Sequence, residues 1–90
     1  MIEIQIKNGP KTISSTVFAN FPTEQELYTH CKIAFEQGYN DLDHVIEDID
    51  YDAFKYNSIY FIKLNAAYVK TIGKIRVVAQ EYVGTKIVNN

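Results

Sequence analysis

From Met1 to Lys7 the chain alternates without a break. Ile2, Ile4 and Ile6 fall on one face of an extended backbone, and Glu3, Gln5 and Lys7 on the other. Period-two alternation is the pattern of a half-buried strand, and it excludes a helix here. Asn8-Gly9 follows at once, a strong short-range hairpin signal, and Pro10 stops further ladder pairing. A returning strand is expected from about Thr12 to Phe18, with Ile13 and Val17 as its apolar anchors. Its Ser14-Ser15-Thr16 stretch suits β structure but is polar, as on a solvent-facing or edge strand.

The next signals are helical. Phe21-Pro22 closes the hairpin, and Thr23 stands three residues before Glu26, the spacing of a capping box. Glu24 also sits in the first turn, where the helix dipole favours an acid. Leu27, Tyr28, Cys31, Ala34 and Phe35 recur at helical spacing, and Gly38 suits a C′ residue. A helix over about 24–37 follows.

The segment after it reads two ways. Leu42, Val45, Ile46, Ile49 and Ala53 fit one helical stripe, yet Asp48-Ile49-Asp50-Tyr51-Asp52 alternates with period two. A short helix from Asp41 to about Glu47 and then an extended segment satisfies both. From Ser58 onward the pattern reads as β: strands over 59–64, 68–72 and 75–83, with brief pairing at Lys86–Val88. The expected fold is α+β. Its mainly antiparallel sheet is made of an N-terminal hairpin and a C-terminal three-stranded meander, with one or two helices between. Ninety residues make one domain over 1–90.

Charge divides the chain. Residues 1–53 carry a net −7 and residues 54–90 a net +5, within a total of −2. Folded together, the halves become two oppositely charged surfaces, which matter for association. A simple nucleic-acid binder would be basic overall. A single cysteine, Cys31, can form neither an internal disulfide nor a thiolate metal cage, and it fits a reducing compartment. No N-terminal signal pattern and no apolar run near 18 residues occur, so a cytoplasmic protein without membrane contact is expected.

Enzyme chemistry finds little to work with. Cys31 lies on the apolar stripe of the first helix, and its neighbour His30 is turned roughly 100° away from it. His44 lies among acids on a solvated face. A calcium loop fails as well: Asp48, Asp50 and Asp52 copy its first three ligands, but Ala53 stands where Gly is required and Ile59 where a bidentate Glu is required. The four glycines are isolated, so no phosphate-cradling loop exists. The expectation is a non-enzyme with no metal and no cofactor.

Two binding surfaces remain. Six of the eleven carboxylates fall between positions 41 and 52: Asp41, Asp43, Glu47, Asp48, Asp50 and Asp52, accompanied by Tyr39 and Tyr51. Duplex DNA carries about one negative charge per 1.7 Å of axis. On a strand, Asp48, Asp50 and Asp52 would lie roughly 6.5–7 Å apart. Such a row imitates a nucleic acid and fits a protein partner with a basic nucleic-acid-binding groove. An ordinary solvated acidic face is the competing reading. The alternative surface is basic: Lys63, Lys70, Lys74 and Arg76 interleaved with Tyr60 and Tyr68, where aromatics stack bases and cations meet phosphates. A third possibility is an assembly protein, a homodimer paired through an edge strand at Thr12–Phe18 or through the C-terminus.

A resemblance bears on the choice. Asn8-Gly9, Phe18-Ala19-Asn20-Phe21-Pro22, the helix from Glu24 to Gln37 and then Ile49-Asp50-Tyr51-Asp52 resemble the order of features in the first domain of ArdA-type antirestriction proteins. There an acidic segment of the form Ile-His-Asp-Tyr-Glu follows a hairpin and a short helix. This chain lacks the His before Asp50, and its C-terminal half is basic. Ala34-Phe35-Glu36-Gln37-Gly38-Tyr39-Asn40, followed by acids and Tyr, is similar to a stretch of small phage inhibitors of Cas9. Both groups are DNA mimics of mobile elements. The resemblance covers residues 2–54 and implies a small phage or mobile-element inhibitor that blocks a nucleic-acid-binding defence protein.

Overall fold

The structure is a computed structural model that describes residues 1–36 and 48–84, with 34–36 described by backbone alone. Strand β1 (Ile2–Asn8) pairs antiparallel with β2 (Lys11–Phe18). The connection turns on Gly9 and Pro10, and Gly9 holds φ at +59°. Asn8 still pairs with Lys11, so the central pair is Gly9-Pro10, one residue later than an Asn-Gly turn would place it. Proline cannot adopt positive φ, which excludes type I′. Glycine at the first central position is the type II′ arrangement.

The remaining strands are β3 (Tyr68–Ile72) and β4 (Ile75–Glu81). The sheet order is β2-β1-β4-β3, every pairing antiparallel, so the first and last strands of the chain lie side by side at its centre. Ile4 and Ile6 stand opposite Ala79 and Val77, and all four are fully buried. These positions define the core face.

Val17 does not anchor that face. It pairs with Glu3, whose side chain points to the other side, and it is 37% exposed. Phe18, Thr16 and Ser14 pair with Ile2, Ile4 and Ile6 instead. The register then shifts between Ile6 and Lys7, leaving Ile13 as an extra residue on β2. This bulge returns Ile13 to the core side, where it packs against the buried cluster. One bulge therefore separates two apolar residues that share parity in the sequence.

Helix α1 (Glu24–Glu36) begins as expected. Thr23 Oγ1 accepts from the Glu26 N–H at 3.1 Å, and Glu26 Oε1 accepts from the Thr23 N–H at 2.9 Å, a complete capping box. Leu27 and Cys31 enter the core. The expected helix end at Gln37 and Gly38, the short helix over 41–47 and the pairing at Lys86–Val88 lie outside the described residues, as do the Ala34 and Phe35 side chains.

The main departure is α2 (Tyr51–Lys63), a helix that takes in residues 59–63 of the stretch 59–64 expected as a strand, with Leu64 as its C-cap. The C-terminal meander therefore reduces to the β3–β4 pair among the described residues. Ile59-Tyr60-Phe61-Ile62 has strand composition, but β propensity yields to context and short apolar runs do not distinguish the two states. Both ends carry helix signals. Asp50 is the N-cap, its side chain accepting from the Ala53 N–H. At the other end Asn65 holds φ at +58°, with Asn65 N–H bonded to Ile62 O and Ala66 N–H to Phe61 O, a Schellman motif. Phe54, Ser58 and Phe61, at i, i+4 and i+7, face the sheet, and Tyr68 packs its ring against Phe54 and Phe61.

Both helices cover the same face of the sheet, closing Ile4, Ile6, Val77 and Ala79 under Leu27, Cys31, Ile49 and Phe54. No helix among the described residues is long and apolar enough to cross a membrane.

Candidate functional site

The two helices are tied together at their starts. Tyr51, the first residue of α2, donates its hydroxyl hydrogen to the carbonyl of Pro22, just before α1, at 2.6 Å. Tyr28, on α1, donates to the carbonyl of Ile49, just before α2, at 3.2 Å. Phe21 packs against both Tyr51 and Phe54. Two N-termini therefore meet at one end of the molecule, each bringing its own first-turn acids: Glu24 and Glu26 from α1, Asp52 from α2, with Asp50 as cap.

The tyrosines register this crowding of charge. Burial pushes the Tyr28 phenol up, and the carboxylates of Glu24 and Asp50 push it further. Burial also leads for Tyr51, reinforced by Asp52, Glu24 and Glu26. Asp48, exposed in the turn ahead of the cap, lies apart from them and lines a hollow with Lys70, Thr71, Ile72 and Gly73 at the β3–β4 turn. Among the described residues none of these five acids has an ion-pair partner; the ion pair found there joins the Met1 ammonium to Glu81 at 3.0 Å.

The acidic surface differs from the strand-borne row expected for Asp48, Asp50 and Asp52. Asp50 is extended at φ −65° and ψ 101°, and the helix starts at the next residue, so Asp52 is helical. Tyr51 is half-buried with its hydroxyl occupied, which makes it a strut and not a reader of partners. Glu24 and Glu26, expected only as first-turn acids of α1, join the surface. The available signal was that both helices open with acids. Tyr39, Asp41, Asp43 and Glu47 lie outside the described residues.

The basic alternative is dispersed. Tyr60 and Lys63 are on the outer side of α2 and not on a strand. Tyr68 is half-buried, its ring centroid 5.7 Å from that of Phe54 and 5.6 Å from that of Phe61. Lys70 pairs with Val77 on the helix-covered side of the sheet, and Lys74 lies in the β3–β4 turn. Arg76 projects from the opposite side and donates from Nη2 to the Gly9 carbonyl at 2.6 Å. No single sheet face holds the set.

His30 and Cys31 are both buried. Burial raises the Cys31 thiol to about 12, which leaves it protonated and unreactive near neutral pH. His30 Nδ1 hydrogen-bonds Thr16 Oγ1 at 2.9 Å, and burial holds its pKa below the usual range. Its ring meets Phe18 edge-on and lines an apolar groove between β2 and α1. Among the described residues, no three His, Cys, Asp or Glu side chains are grouped so as to hold a metal ion.

No family model matches the chain, and neither a curated protein nor a solved structure matches it.

Proposed function

We propose that this chain is a non-catalytic binding protein whose acidic end occupies the basic nucleic-acid-binding groove of a protein partner. The observation that carries the reading is the joining of two helix starts through Tyr28 and Tyr51. It gathers Glu24, Glu26, Asp50 and Asp52, none of them ion-paired among the described residues. Acids at a helix N-terminus are stabilised by the dipole. The fold can therefore hold this density of negative charge without a counterion and offer it to a cationic surface. Together with the resemblance to DNA-mimicking inhibitors, this favours a phage or mobile-element protein that works in the cytoplasm and blocks a defence nuclease.

The test replaces Asp48, Asp50 and Asp52 together by Asn. Asn caps a helix about as well as Asp, so the fold is kept while three charges are removed. Capture of CRISPR nucleases and restriction enzymes from a purified panel, and inhibition of their cleavage, should be lost or sharply reduced. Undiminished capture by the folded triple variant rules the reading out.

A further inference from the structure

Helix α2 buries one side and leaves the other open. Away from the sheet, Asp52, Ala53, Tyr56, Tyr60, Lys63 and Leu64 are all exposed. Tyr56 is 72% exposed, Tyr60 54% and Leu64 59%. At 3.6 residues per turn, positions 56, 60 and 64 form a single stripe along the helix. The fold makes little use of these side chains. Tyr60 meets Phe61 edge-on, and the rest of the stripe lies over solvent. Two exposed tyrosines in line are the residue type enriched at interface centres, and Leu64 adds apolar area beside them.

The stripe is also complementary to itself. Tyr56 and Tyr60 stand two residues either side of Ser58, Ala53 and Lys63 five either side, and Asp52 and Leu64 six either side. Laid antiparallel against a second copy about an axis level with Ser58 but on the opposite, outer side of the helix, each Tyr56 meets the other copy's Tyr60. Each Asp52 comes within reach of the other copy's Lys63, whose aliphatic stem crosses the small Ala53. The opposed helix dipoles add to the match. A polyanion satisfies only the Lys63 end of this face and is repelled at the Asp52 end, beside the acids gathered there.

We infer that the outer face of α2 is a two-fold dimer interface, with Tyr56 against Tyr60 at its centre and Asp52 against Lys63 at each end. One helix pair is a small interface, so the dimer should form in a concentration-dependent equilibrium. Asp52 belongs both to this interface and to the acidic end, so dimerisation and partner binding compete for it; sedimentation of the chain alone reads only the dimer.

Sedimentation velocity over a range of concentrations tests it. The wild-type chain should pass from monomer to dimer. Tyr56→Ser, at a solvent-exposed position, should keep its fold and weaken dimerisation by about tenfold or more. Lys63→Glu alone should weaken it through like charges across the axis. Combining Lys63→Glu with Asp52→Lys should restore it, a rescue that a role within one chain would not produce. A wild-type chain still monomeric at about 1 mM would overturn the inference. So would dimerisation unaffected by Tyr56→Ser, or a monomeric chain that instead retains a single-stranded oligonucleotide.

Discussion

Asp50 has two roles that can be separated. Its side chain caps α2, with Oδ1 accepting from the Ala53 N–H at 3.3 Å. Its charge belongs to the acidic end. Asp50→Ala removes both, and Asp50→Asn removes only the charge. Loss of a cap costs about 0.5–2 kcal/mol. The bond is at the long end of the hydrogen-bond range, which places this cap near ~1 kcal/mol. Loss of the charge at the helix start costs both variants about 0.3–1 kcal/mol. Asp50→Ala should therefore be less stable than Asp50→Asn by about 1 kcal/mol, a Tm difference of about 4–8 °C for a domain of this size. Thermal unfolding followed by circular dichroism measures it. Both variants should weaken partner binding alike, because both lack the carboxylate. Equal stability of the two would refute the cap; binding lost with Ala but kept with Asn would refute the role of charge.

Ser58 is fully buried, and its Oγ lacks a hydrogen-bond partner. Ser58→Ala should stabilise the fold by about 1 kcal/mol, read from urea unfolding, by removing the unsatisfied hydroxyl and improving helix propensity. Gly9→Ala meets nothing within 4 Å of the new Cβ, so its cost is the positive φ alone. It should lose about 1–2 kcal/mol in the same assay, with the fold intact. His30 is kept neutral by burial, so below about pH 6.5 the unfolded chain takes up a proton that the folded chain refuses. Stability should thus be complete above that pH and fall as pH drops toward the folded-state pKa, by up to about 1.4 kcal/mol per unit. Unfolding measured from pH 7.5 to 5 should show the slope, and His30→Asn should flatten it. Glu3, whose pKa is lowered first by the Ser15 hydrogen bond, adds a loss in the same direction only below about 4.5.

The parts legible in the sequence are those set by neighbours along the chain. The Ile2-Ile4-Ile6 alternation, the Thr23–Glu26 box and the α+β class all follow from local pattern. Val17 departs from its expected place because a bulge near Ile13 changes parity, and nothing in Ile13-Ser14-Ser15-Thr16 marks where an extra residue enters. Residues 59–64 carry β-favouring side chains that mask two helix-end signals, Asp50 and Asn65, with thirteen residues of helix between them. The acidic surface was partly legible as a count. Its composition was not, since the meeting of Glu24 and Glu26 with Asp50 and Asp52 depends on two hydroxyl bonds that span 21 and 29 residues.

Competition with DNA decides whether the acidic end acts as a nucleic acid. A nuclease captured by the wild-type chain is loaded with fluorescent duplex DNA and titrated with the wild type and with the Asp48→Asn, Asp50→Asn, Asp52→Asn variant. The wild type should displace the DNA, and the variant should require at least about tenfold more protein, the equivalent of roughly 1.4 kcal/mol. Equal displacement by the two, or binding of the wild type with the DNA still in place, would contradict an acidic end that occupies the DNA groove.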